Sequence, residues 1–218
     1  MDKIAKHCAA LLVALSLSVP AAQAQRIADV FVTMPRQLLP ALTDVNRADL
    51  VDFIDNGMRA AVTNAFDSTV VMTQMNDTYL SLKTSATGTL QMKMLPLNDS
   101  TNIVCLARTV CPGACLSDVR FYTTGWEKLD GDTLFTMPPL SEFVTSNDST
   151  FMADSVAHSS LADIDLYEVS LSPDSPSLTV RTTVADYATR EEAERLRRWL
   201  KPQGVRMEWT GGRFTIAR

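Results

Sequence analysis

From about residue 68 the chain alternates apolar and polar side chains, and turn residues interrupt the alternation at short intervals. Segments 69–75, 79–84, 88–96, 101–110 and 118–124 are rich in Val, Thr, Leu, Met and Tyr, the composition and period of half-buried strands. Asn76-Asp77, Ser85 to Gly88 and Asn98-Asp99-Ser100 separate the first four of them with turn chemistry. In 89–95, Leu90, Met92 and Met94 point one way and Gln91 and Lys93 the other. Strands so closely connected predict an antiparallel meander.

Helical spacing dominates before that point. Ile27, Val30 and Phe31 share a face in 26–33, and Leu38, Leu39 and Leu42 in the turn that follows. Met34-Pro35 and Pro40 keep both pieces short, because proline excludes helical geometry before it and removes a donor. Asn46 followed by Asp49 predicts a cap for a longer helix, with Leu50, Val51, Ile54 and Met58 on its buried side. Towards the other end, 165–172 and 177–185 read as strands around Ser172-Pro173-Asp174-Ser175-Pro176. Thr189 with Glu192 forms a capping box for a helix led by acids and ended by bases, the order the macrodipole prefers. Segments 205–210 and 213–217 close a hairpin across Gly211-Gly212, a strong turn signal. Between these regions, 125–163 has no clean period; Ser141 to Ser160 is dense in Ser, Thr, Asn and Asp and reads as a long loop with at most one short helix.

The pattern predicts an α+β fold: an antiparallel meander of about five strands, N-terminal helices, and a C-terminal strand-strand-helix-strand-strand unit. Residues 25–218 are read as a single domain. The alternative divides them into subdomains at about 25–125 and 165–218, joined by the polar region.

Residues 1–24 change the picture. Lys3 and Lys6 precede an apolar run from Cys8 to Val19; Pro20 breaks it, and Ala22-Gln23-Ala24 ends it. This is the layout of a cleavable secretory signal, with cleavage expected before Gln25. The run falls short of the ~20 residues that span a bilayer. Gln25, not a cysteine, follows the cut, so the expectation is an exported protein, periplasmic or extracellular and not lipid-anchored. No later stretch of the chain reaches spanning length.

The chain carries 20 Lys and Arg against 25 Asp and Glu, a net charge of −5. Removing residues 1–24, with Lys3, Lys6 and Asp2, takes it to −6. That balance argues against a nucleic-acid partner. Residues 190–218 reverse it, with eight bases against four acids. Arg197, Arg198 and Lys201 fall at the end of a predicted helix, where positive charge is stabilising; docking onto an acidic partner is the sharper reading.

Met34-Pro35-Arg36-Gln37-Leu38-Leu39-Pro40, Asn46-Arg47-Ala48-Asp49-Leu50-Val51-Asp52-Phe53, Val110-Cys111-Pro112-Gly113-Ala114-Cys115, and Arg120-Phe121-Tyr122-Thr123-Thr124 before Trp126 occur in that order. Together they resemble a family of uncharacterised exported proteins from Bacteroides-type bacteria, classed as a domain of unknown function. The resemblance implies an envelope or secreted location and brings no catalytic residues with it.

The remaining chemistry is sparse. Beyond residue 24 there are three cysteines: Cys105, Cys111 and Cys115. In an exported chain Cys111 and Cys115, flanking Pro112-Gly113-Ala114, are the candidate disulfide, and Cys105 is read as a buried thiol. A redox role would require a lowered thiol pKa, and the spacing is not that of the thioredoxin motif. His158 is the sole histidine past residue 24. Three cysteines with His158 match no standard zinc spacing, and no Gly-x-Ser-x-Gly elbow accompanies it; a solvated side chain is expected. Asp49, Asp52 and Asp55 recur on one helix as a cation or carboxylate-pair candidate, or as a solvated face. Asp130-Gly131-Asp132 reads as a turn. Trp126, Trp199 and Trp209 are candidates for sugar stacking or for packing. No residue is assigned to catalysis, cofactor or metal. Two functions stay open: a non-enzymatic exported protein that binds an envelope protein or ligand, and an envelope enzyme, either a carboxylate-dependent hydrolase or a thiol redox protein.

Overall fold

The computed structural model describes residues 25–146 and 149–218; the proposed signal, 1–24, lies outside them. Its elements run α1 (Ile27–Val32), a 3-10 turn (Arg36–Leu38), α2 (Asp44–Asp55), β1 (Ala61–Thr63), β2 (Thr69–Met75), β3 (Tyr79–Lys83), β4 (Gly88–Asn98), β5 (Thr101–Val110), β6 (Leu116–Thr123), α3 (Gly131–Leu134), α4 (Leu140–Phe143), α5 (Ser149–Ala153), α6 (Ser155–Asp163), β7 (Tyr167–Leu171), β8 (Ser177–Thr182), α7 (Val184–Tyr187), α8 (Arg190–Arg197), β9 (Val205–Thr210) and β10 (Arg213–Ile216).

The described residues build two antiparallel sheets. The first is a six-stranded meander, β1 to β6 in order; the second has four strands, ordered β10-β9-β8-β7. The five expected strands are β2 to β6. Strand β1 precedes them and is too short, at three residues, to show a period. The C-terminal unit has the expected two strands, helix and two strands, with the single-turn α7 added before α8. At its last hairpin Gly211 and Gly212 take φ of +60° and +81°, which only glycine adopts freely.

Two expectations are corrected. The cap of α2 lies one turn earlier than Asn46: the Thr43 hydroxyl accepts from the Asn46 amide at 3.1 Å, and the Asn46 side chain accepts from the Thr43 amide. The helix ends at Asp55 with Asn56 as its C-cap, and Met58 falls beyond it, 51 % exposed. Ser141 to Ser160 is not a loop with at most one short helix; α4, α5 and α6 occupy much of it, and α3 precedes them. Their polar residues include caps: Asp130 accepts from the Asp132 amide, and Asp154 from the Ala157 amide. The Thr189–Glu192 capping box stands as expected at the start of α8.

The layers follow from side-chain alternation. One face of the six-stranded sheet packs Leu80, Leu82, Leu90, Met92, Met94, Val104 and Leu106 against Ile27, Val30, Phe31 and Leu50 of α1 and α2. The other face packs Ile103, Cys105, Ala107 and Phe121 against Val169, Leu178, Val180, Met207 and Phe214 of the second sheet. Strand β5 is thus buried on both faces from Ile103 to Ala107. A third cluster joins Phe151, Ala157, Leu161, Val184 and Leu196. Each Val, Leu, Ile, Met or Phe among them contributes roughly 1.5–3 kcal/mol when fully buried.

Because the second sheet covers the face that Gln91 and Lys93 occupy, their polar groups become cross-links. Gln91 Oε1 accepts from the Leu171 amide at 3.0 Å. Lys93, 4 % exposed, donates to Pro173 O at 2.9 Å and Thr78 Oγ1 at 3.1 Å. Arg47 is nearly fully buried between α1 and α2, where it donates to Val32 O, Leu42 O and the Asp44 carboxylate. No helix among the described residues is long and apolar enough to cross a membrane.

Candidate functional site

The tip of the β5–β6 hairpin carries Cys111 and Cys115. Their sulfurs stand 2.08 Å apart, at bonding distance. The tip reaches the edge of the second sheet, where Ser117 Oγ accepts from the Val169 amide at 2.8 Å. Thr183, wholly buried, fixes Cys115 from that side: its hydroxyl accepts from the Cys115 amide at 3.0 Å and donates to Cys115 O at 2.7 Å. The Cys111 amide donates to Thr87 O at 2.9 Å. Glu168 of β7 completes the cluster, with one carboxylate oxygen and both sulfurs all within 4.8 Å of one another. Its Oε2 accepts from Arg181 Nη2 at 2.8 Å, and Arg181 continues to Asp186 at 3.2 Å. The sequence gives no hint of Glu168, which lies on another sheet 53 residues after Cys115.

Cys105 sits apart, wholly buried between the sheets. Burial pushes its thiol pKa well up, the opposite of what thiolate chemistry requires.

The second feature runs along β10. A groove of about 720 Å³ lies between residues 136–139 with Glu142 on one wall and residues 213–218 with Met207 on the other. Strand β10 is an edge of its sheet, with no strand on its far side among the described residues. Its pairing register, Arg213 to Thr210 and Ile216 to Met207, and the bond from the Ala217 amide to Arg206 O at 2.9 Å decide which groups are spent. Arg213 and Thr215 exchange bonds with β9, so Phe214 and Ile216 turn their N–H and C=O to the free edge. Arg213 and Arg218 line the groove, with Glu142 as the acid among its lining residues.

The other candidates are placed as follows. Asp55 pairs with Arg26 at 3.2 Å and Asp52 accepts from Asn56, so two of the three candidates Asp49, Asp52 and Asp55 serve the fold. His158 lies in α6, half-buried against the Phe151 ring, and not in a solvated loop. The three indole N–H groups serve the structure: Trp126 donates to Val30 O, Trp199 to Asp154 Oδ2 and Trp209 to Pro96 O. Much of the C-terminal positive charge is internally paired: Arg195 with Asp154, Arg197 with Asp186, Arg190 with Glu194. A depression of about 600 Å³ gathers Asp154, Glu191, Glu192, Arg195, Arg198 and Trp199. Hydrogen bonding from Arg195 leads the effects that hold the Asp154 carboxyl at about 2, and Thr189 lowers that of Glu192. A general acid at neutral pH needs the opposite shift.

Residues 19–214 match the family model described as "Protein of unknown function (DUF3256)". The chain belongs to this family. It is also similar in fold to a solved domain of an uncharacterised protein from Porphyromonas gingivalis W83, with a TM-score of 0.75 and 28 % sequence identity over 88 % of this chain and 97 % of that one. No match is found among curated proteins. Family membership is as the sequence motifs implied, and it carries a fold without an assigned activity.

Proposed function

We propose that this family member is an exported protein of the cell envelope that acts by binding, and that the groove along β10 is its contact face. The observation that carries the reading is the open edge of β10. Unspent backbone donors and acceptors beside a groove form a template for strand addition. Two arginines against one acid in the groove's lining select an extended acidic segment of a partner protein. The Ala22-Gln23-Ala24 ending of the apolar leader supports export. The well-ionised acids of the Asp154 depression weigh against the hydrolase alternative.

The test uses the processed chain and two synthetic ten-residue peptides, one alternating Val with Glu and one alternating Val with Lys. Fluorescence polarisation should show the acidic peptide binding, more weakly as salt rises. Ile216→Pro removes an N–H that no strand uses and leaves the β9 ladder intact, as edge strands tolerate; it should abolish binding without lowering the thermal midpoint appreciably. Equal binding of both peptides, or binding untouched by Ile216→Pro, rejects the face. N-terminal sequencing of envelope-fraction protein should begin at Gln25; recovery of Met1 there rejects export.

A further inference from the structure

We propose that the hairpin tip is a redox-gated site for a thiophilic divalent cation such as zinc, with Cys111, Cys115 and Glu168 as its protein ligands. Two sulfurs and one carboxylate oxygen already lie within 4.8 Å of one another. Zinc–sulfur bonds of about 2.3 Å at tetrahedral angles place two sulfurs about 3.8 Å apart. Sulfurs joined to each other in a disulfide cannot both serve as thiolate ligands, so the oxidised tip is closed to metal. Breaking one bond opens it.

The surroundings hold the ligands without help from that bond. Thr183 fastens the Cys115 backbone at both its N–H and its C=O. The Cys111 amide is fastened to Thr87 O. Glu168 stands on β7, oriented by Arg181 through Oε2. Reduction therefore asks only the two thiol side chains to turn. The donor set suits zinc, which accepts sulfur and oxygen together, over calcium or magnesium, which take oxygen alone. Water fills the fourth position of a three-ligand zinc site.

Charge gives the gate its direction. Two thiolates beside a carboxylate repel one another, and among the described residues Arg181 is the cation paired with that carboxylate. A divalent ion neutralises the excess. The steps balance as follows. A dithiol reductant supplies two electrons and two protons, the Cys111–Cys115 bond breaks to two thiols, and the reductant closes to its own disulfide. The cation then displaces both thiol protons to solvent. Reoxidation uses a small-molecule disulfide: it takes two electrons from the two thiolates and two protons from solvent, becoming two thiols, while the Cys111–Cys115 bond reforms and the ion is released.

The experiment uses residues 25–218 in two states: as purified in air, and reduced by a dithiol that is then removed under argon. Cobalt(II) is the probe, followed by sulfur-to-cobalt charge-transfer absorption and by displacement with zinc. The expected result is one cobalt per reduced chain with a two-thiolate band, lost on adding zinc, and no band for the oxidised chain. Cys111→Ser and Cys115→Ser should each abolish the two-thiolate band. Glu168→Gln should keep both thiols and weaken cobalt binding at least ~10-fold. Cys105→Ala should bind like the parent. Near-ultraviolet circular dichroism verifies that every variant is folded. Binding by the oxidised chain, absence of the band on reduction, or a Glu168→Gln affinity equal to the parent's would each overturn the proposal. Peptide binding at β10 is read separately and stands or falls independently.

Discussion

Replacing Thr183 by Val tests how the two sheets are joined. The side chain is 0 % exposed and its hydroxyl serves both the N–H and the C=O of Cys115. Valine keeps the shape and deletes the oxygen. Leu166 O, a second acceptor 3.2 Å from the hydroxyl, loses little, since it also accepts from the Thr183 amide at 2.7 Å. The Cys115 backbone loses both partners. A buried polar group left unsatisfied costs about 1–3 kcal/mol, so two of them, less the relief of not burying a hydroxyl, come to about 2–4 kcal/mol. Thr183→Ser keeps the oxygen and removes a methyl, which costs about 1 kcal/mol in a well-packed site. Serine should therefore be the milder change, although valine is the more apolar residue. Urea unfolding of the parent and both variants at neutral pH, with the slope unchanged, gives the two differences. Hydrogen exchange at the Cys115 amide should accelerate in the valine variant alone. A valine variant within ~0.5 kcal/mol of the parent, or a serine variant less stable than it, would refute the assignment.

Other outcomes follow from the same physics. Gly204 takes φ of +70°, and a Cβ there would lie 2.4 Å from Val180 O, so Gly204→Ala should cost more than the ~1–2 kcal/mol of the left-handed conformation alone. Gly211→Ala, with nothing within 4 Å, should stay inside that range; equal thermal midpoints for the two variants would contradict this. The Asp154 carboxyl titrates at about 2 when folded and near ~3.9 when unfolded. Its contribution is therefore present above the unfolded value and lost as pH falls through about 2; the urea midpoints of the parent and Asp154→Asn should converge over that window, and a constant gap would sink the reading. Burial lowers the Lys93 pKa, with Asp174 acting against it. The unfolded chain then holds the proton more tightly, so stability should rise with pH towards ~10.4, and Lys93→Met should flatten that rise in a pH series of unfolding midpoints.

Local rules account for what was legible in the sequence. Period-two alternation located β2 to β6, and the Thr189–Glu192 pair and Gly211-Gly212 set the start of α8 and the last hairpin. These signals need only neighbours a few residues apart. The cap of α2 was misread because Asn46 acts as the partner of Thr43, not as the cap itself. In the 125–163 region α3, α4 and α5 are too short to establish a 3.6-residue period, and the nine-residue α6 buries only Ala157 and Leu161, with no capping box to announce it.

What the tertiary structure decided is which polar residues meet. Gln91 and Lys93 alternate like solvent-facing side chains, and only the second sheet makes them cross-links. Alternation reports that a residue faces away from its neighbours; it does not report what covers that face. The chain by itself supplied the cysteine pair and the basic C-terminal segment. Folding brought Glu168 to the sulfurs, turned Arg195 and Arg197 onto internal acids, and left β10 with an open edge. Each of those outcomes depends on contacts between strands or helices distant in sequence, and local pattern carries no term for them.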